Sequence, residues 1–193
     1  MVHTSIQVIY AEHASLSAIL QSLRMMLRRG PQDAAESFFS VMRAMLFYID
    51  EVPEKQHHLK ESELLFPQVA KRSPHCAKII EQLENEHHKG ESAVRELQHL
   101  LLAWELLGDS RRQAFEDATL QYIDFYAHHM RLEEAIILPE ALKVLTEVDW
   151  KTMDAEFANN KDPLSSSTAR DPIYDRLFTK IVMRAPAPIG LGS

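Results

Sequence analysis

Four long stretches of this chain carry apolar residues at helical spacing, with glycine or proline at the boundaries between them. Between 5 and 28 the apolar positions are Ile6, Ile9, Leu16, Ile19, Leu20, Leu23 and Leu27, a stripe with the helical period. Thr4 or Ser5 is the expected N-cap, and Gly30 with Pro31 ends the segment. A second stretch starts near Asp33 and carries Phe38, Val41, Met42, Met45, Leu46 and Ile49. Pro53 interrupts it, because proline removes a backbone donor and clashes with the carbonyl one turn back. A helix break is therefore expected at 50–53, with helix resuming over 54–72. Ser73 and Pro74 lead into a third helix over 75–107, and the turn at Gly108 leads into a fourth over 111–145. No alternating run is long enough for a strand. Short loops make neighbouring helices antiparallel, so 1–145 is read as an all-α, up-down four-helix bundle. The glycine count, 5 in 193 residues, favours that helical reading.

Past 145 the character changes. Thr146 to Asp149 has the form of a capping box with Asp in the Glu position, opening a short helix to about 159. The stretch 161–168 is polar and loop-like, and Asp171 with Pro172 caps and starts another short helix through 182. The ending APAPIGLGS should lack regular structure. Residues 146–193 are thus expected to be a short helical C-terminal extension packed on the bundle, and a homodimer contact through it is left open.

Charge and composition exclude several roles. With 21 basic and 28 acidic residues the net charge is −7, which disfavours a phosphate-backbone partner, so no nucleic acid is expected. No apolar run reaches the length of a membrane span, so no membrane partner is expected. The start MVHTSIQVIYAEH lacks the basic opening and long apolar run of a secretory leader. The single cysteine, Cys76, leaves no internal disulfide and fits a reducing, cytoplasmic setting. Ten histidines are many for this length and need a reason.

Two segments repeat one pattern. His57 is followed by Glu61 four residues on and by Pro67 ten residues on; His129 is followed in the same way by Glu133 and Pro139. The i,i+4 spacing puts imidazole and carboxylate on one helix face. The first and third helices each carry a Glu–His pair, Glu12 with His13 and Glu86 with His87. The bundle therefore reads as two tandem hairpins, each giving one His and then one H-x-x-x-E. Counted from the turns, His57, His87 and His129 fall at matching depths. His13 and His57 do not, because His57 lies about 25 residues past the first turn and His13 about 16 before it; the break near Pro53 is the favoured explanation. Four imidazoles and two carboxylates meeting inside a bundle call for a metal, since buried uncompensated charge is costly. Mixed His and carboxylate ligation suits iron, manganese or zinc. His58, His88 and His128 point about 100° away from their neighbours and are read as surface residues or residues that support a ligand.

The order His, H-x-x-x-E, His, H-x-x-x-E resembles the hemerythrin-like (HHE cation-binding) domain family. The strings YIDEVPEKQHHLKESELLFP, LENEHHKGE and HHMRLEEAIILP are similar to a bacterial branch of that family over about 4–145. The resemblance implies a di-iron site with His13, His57, Glu61, His87, His129 and Glu133 as ligands, and with Glu61 and Glu133 bridging the metals. Classical hemerythrin has a further histidine four residues after the third-helix histidine; here that position is Glu91, which is carried as the seventh ligand. Two octahedral irons offer about twelve positions; seven residues with two bridging carboxylates and a bridging oxo or hydroxo leave about one open. That position is expected to take dioxygen, nitric oxide or peroxide. A carboxylate at 91 stabilises Fe(III), so redox sensing, oxidation or peroxide chemistry is expected over reversible carriage. An enzyme (peroxidase, oxidase or nitric oxide-handling) and an iron-handling protein are the alternatives. A redox or signalling partner is implied but not identified.

Overall fold

The computed structural model describes residues 3–160, 162–164 and 171–192. Helix α1 spans Thr4–Arg29 and is followed by α2, which starts as Ala35–Ile49 and runs on to Arg72. Helix α3 spans Ala77–Leu107, and α4 starts at Arg112–Leu132 and runs on to Val144. Helices α5 (Glu147–Phe157) and α6 (Asp175–Arg184) make up the extension. Among the described residues no named strand occurs, and no helix is long and apolar enough to cross a membrane. Gly30 and Gly108 both take positive φ where α1 and α3 end, a conformation that favours glycine.

The expected break in the second helix is not a break. α2 passes from α-helix into wide π turns at Asp50–His57, returns at His58–Lys60, widens again at Glu61–Leu65, and resumes at Phe66–Arg72. α4 does the same once, at Glu133–Ile137 before Leu138–Val144. Each widening coincides with a proline. Pro53, Pro67 and Pro139 would strike the carbonyls of Ile49, Glu63 and Ala135 in a regular helix, and a wider turn gives them room. The repeated proline ten residues after the histidine is thus the cause of a π turn that starts at the paired glutamate. A looser turn climbs less per residue, which takes up part of the excess length between His57 and the first loop.

The apolar interior is divided in two. One cluster joins residues such as Leu20, Leu23, Met42, Leu101 and Phe115; the other joins Ile9, Phe66, Leu83, Leu138 and Phe157. Each bundle helix crosses from one cluster to the other through its candidate ligands, so the polar residues form a layer at mid-depth between two dry halves. On α1, for example, Ile9 belongs to one cluster and Leu16 to the other, with His13 between.

The extension takes part in both halves. Trp150, Met153 and Phe157 of α5 enter the second cluster, and Ile181 with Ala185 enters the first. Thr146 and Asp149 form the reciprocal capping box. Asp154 Oδ1 accepts from the backbone N–H and the hydroxyl of Ser5 (2.8 and 2.7 Å), so the start of α1 is capped from α5 rather than by Thr4 or Ser5. The polar loop expected over 161–168 lies outside the described residues except at 162–164. The ending, 185–192, forms no helix or named strand and is docked on α6. Leu191 N–H donates to Val182 O (2.7 Å) and Gly192 N–H to Ala185 O (2.8 Å). Gly190 is required there, since a Cβ would stand 2.2 Å from the Ala185 carbonyl oxygen.

Candidate metal centre

Five imidazoles and two carboxylates converge on the polar layer. His13 comes from α1, His57, His58 and Glu61 from α2, His87 from α3, and His129 and Glu133 from α4. Three overlapping groups have ligand atoms close enough to share an ion: His58, His87 and His129; His13, His57 and Glu61; and Glu61, His87 and Glu133. The Nε2 atoms of His13 and His57 are 3.2 Å apart, and those of His87 and His129 are 3.1 Å apart.

Both carboxylates are fully buried. Glu61 Oε2 is 3.3 Å from His57 Nε2 and 3.7 Å from His87 Nε2. Glu133 reaches the other histidines, with Oε2 3.3 Å from His13 Nε2 and Oε1 3.2 Å from His129 Nε2. None of the four carboxylate oxygens closes a hydrogen bond. Acceptors in such a place are almost always satisfied. Orphaned oxygens ringed by inward-facing imidazole nitrogens are what a bound cation would satisfy, so the residues present fit a metal.

The outward nitrogens support the same conclusion. Nδ1 of His13 lies 2.9 Å from Glu134 Oε1, that of His57 2.7 Å from Glu12 Oε2, and that of His129 2.9 Å from Glu86 Oε2. His58 Nδ1 lies 3.1 Å from Glu54 Oε2, and His87 Nδ1 3.0 Å from Ser62 Oγ, which itself donates to Glu84. An acceptor at Nδ1 fixes the tautomer with the proton outward and leaves Nε2 free for a metal. Asn160, which follows α5, donates to both oxygens of Glu12 (2.9 and 3.1 Å) and holds it against His57.

The site differs from the sequence expectation at one ligand. Glu91, carried as the seventh, is not among the residues brought together; its side chain is 44% exposed and pairs with Arg95 at 2.5 Å. The inward stripe of α3 runs through Leu83, His87, Gly90 and Val94, and Glu91 lies on its solvent edge. His58, read as a surface or supporting residue, is buried and stacks on His87 with ring centroids 4.2 Å apart. The reason is the wide turn at 50–57: more residues per turn brings neighbours closer in angle than 100°, so His57 and His58 both reach the layer. One signal for it was present in the sequence, the Glu54–His58 pair at i,i+4. Glu12 and Glu86, noted as neighbours of the first- and third-helix histidines, do orient histidines, but each holds the one across the hairpin, His57 and His129.

Glu54 anchors a buried network. The hydroxyls of Tyr122 and Tyr126 both donate to its Oε1, at 2.8 Å for Tyr122. Tyr126 fits there only because Gly90 has no side chain: a Cβ at that position would stand 1.8 Å from the phenolic oxygen. Burial pushes the Glu54 carboxyl up, against the pull of the two tyrosines.

Burial and the facing charges set the protonation of the layer. Burial disfavours a charged His129, yet Glu133 and Glu86 outweigh it and raise its pKa to about 10. Burial is outweighed at His57 as well, chiefly by Glu61 and Glu12, and the pKa stands well above the usual imidazole value. Glu133 is driven well below the ordinary carboxylate range by His129, His13 and His87 despite its burial. His58 goes the other way: burial first, then the neighbouring imidazoles, hold it well down and neutral. The contribution of His129 to stability is therefore complete below about pH 6.5 and is lost as pH rises toward 10. That of Glu133 is present above the carboxylate range and is lost as pH falls through its lowered value.

A family model described as the Hemerythrin HHE cation binding domain matches residues 4–141. No curated protein matches the chain.

Proposed function

The chain belongs to the hemerythrin HHE cation-binding family, and from that premise we propose that it holds two iron ions and binds or senses dioxygen, nitric oxide or peroxide at one open metal position. The carrying observation is the pair of buried carboxylates with four orphaned oxygens among five inward-facing imidazoles. His58, His87 and His129 would hold one ion, His13 and His57 the other, with Glu61 and Glu133 shared between them. Oxygen and imidazole donors with no thiolate suit iron, and manganese or zinc by the same chemistry. When bound, such a pair supplies redox capacity and a Lewis-acidic position for a small ligand.

With histidines split unevenly in this way, an open position would lie on the His13 and His57 side. A small cavity lies there, walled by Glu12, Leu16, Tyr48, Val52 and Pro53. The centre of a water molecule has about 10 Å³ in which to move, room for about one water or a diatomic. The binding reading gains from His58 standing where a seventh ligand was sought at Glu91. A neutral imidazole adds no negative charge, so the argument for easy oxidation to Fe(III) lapses. Cys76, a buried free thiol, is in keeping with the cytoplasm.

Exposure of the reduced, iron-loaded protein to nitric oxide or dioxygen tests this. The expected result is one ligand bound per two irons, with an absorption change that reverses on purging dioxygen. Sustained turnover of hydrogen peroxide at the same irons would favour the enzyme reading, and no response to any of the three would refute both.

A further inference from the structure

Besides His13 and His57, the cavity is lined by Glu12, Leu16, Tyr48, Val52 and Pro53. Tyr48 of α2 lines it and is completely buried, yet its hydroxyl has no hydrogen-bond partner. Most buried hydroxyls find one. Asp162, two residues after the asparagine that holds Glu12, is also buried. Its Oδ1 accepts from Leu164 N–H at 2.9 Å, while its Oδ2 has no partner. Asp162 lies close enough to act on Tyr48, with Ser15 near both; burial together with the Asp162 carboxylate pushes the phenol well up, so that it keeps its proton and stays a donor. Of the remaining walls, Leu16, Val52 and Pro53 offer no side-chain acceptor, and both oxygens of Glu12 are engaged by His57 and Asn160.

We propose that Tyr48 is the hydrogen-bond donor that holds a diatomic or peroxide-sized ligand in this cavity, with Asp162 as a nearby acceptor that competes for its proton. The proposal rests on the function proposed above. A phenol has one proton to donate, so ligand and Asp162 compete for it. The missing acceptor must be small, because the cavity admits about one water-sized molecule. It must also carry lone pairs on the atom turned away from the metal, which dioxygen, nitric oxide and peroxide all do. The segment after α5 thereby serves the site twice, through Asn160 on Glu12 and through Asp162 on Tyr48.

Two substitutions of the full-length, iron-loaded protein test it, with nitric oxide as the probe. Tyr48→Phe removes an unpaired hydroxyl and nothing else, so iron per chain and thermal stability should hold. Nitric oxide should then dissociate about five-fold faster, the effect of one ordinary hydrogen bond. Its N–O stretch should shift and lose the sensitivity to heavy water seen in the unsubstituted protein. Asp162→Asn keeps Oδ1 for Leu164 but replaces the competing oxygen with an amide that cannot accept. It should therefore act with the opposite sign and slow dissociation. The proposal is overturned if Tyr48→Phe leaves both the rate and the stretch unchanged, or if both variants only lower stability, because the pair is then structural. An unsubstituted protein that takes up no nitric oxide overturns the proposed function as well, which separates the two failures.

Discussion

Replacement of His58 by alanine should cost the centre one of its metal ions, whereas Glu91→Gln should leave metal content unchanged. The loss is expected to be larger than the 10- to 100-fold fall in affinity typical of removing an outer hydrogen-bond partner of a metal site, because His58 itself reaches the layer beside His87 and His129. At limiting iron the His58→Ala protein should carry about one ion instead of two. Glu91 pairs with Arg95 on the surface, so removal of its charge breaks an exposed ion pair of the kind worth little. Elemental analysis of both variants, with helix content checked by circular dichroism, reads the difference. Loss of metal in Glu91→Gln with retention in His58→Ala would reverse the assignment.

Gly90→Ala should destabilise the protein, against the usual rule for a glycine inside a helix. Alanine improves helix propensity by about 1 kcal/mol at such a position. Here the new methyl would stand 1.8 Å from the Tyr126 hydroxyl oxygen and 2.8 Å from its ring carbon. The ring cannot swing away, because it stacks on His58 and meets Phe125 edge-on. Overpacking of this kind costs about 1–3 kcal/mol, and displacing the hydroxyl also strips a donor from Glu54 and loosens the anchor of His58. Denaturant unfolding should show a net loss, and metal affinity should fall with it. Tyr126→Phe added to Gly90→Ala should recover part of the stability by removing the atom that collides. A Gly90→Ala protein more stable than the original would mean that the Tyr126–Glu54–His58 network does not hold the site as described.

Much of this was legible in the sequence because it depends on local chemistry. Apolar spacing and Gly/Pro punctuation are near-neighbour properties, and they set the helices of the bundle. The repeated H-x-x-x-E with its proline was legible for the same reason, and the proline turns out to shape the turn that presents the glutamate. What was not legible depends on departures from the 3.6-residue helix and on distant contacts. His58 was misplaced because a regular helix turns it away from His57, and the π turn at 50–57 does not. Glu91 was over-read because a register taken from resemblance assumes that the third helix presents position i+4, while Gly90 at i+3 is the residue that faces inward. Asn160 and Asp162 lie about a hundred residues or more from the groups they serve, and no periodicity connects them. The N-terminal cap of α1 escaped notice likewise, since Asp154 supplies it from another helix.

The most direct test of the account is the number of ions the chain takes up. Metal-free protein titrated anaerobically with Fe(II) near pH 7 should bind two ions per chain. It should release protons as it does so, because neighbouring carboxylates raise the pKa values of His57, His129 and His13, and protons held there must leave for metal to bind. A titration that ends at one ion or none, or that proceeds without proton release, would contradict a two-metal centre built on these five histidines and two glutamates.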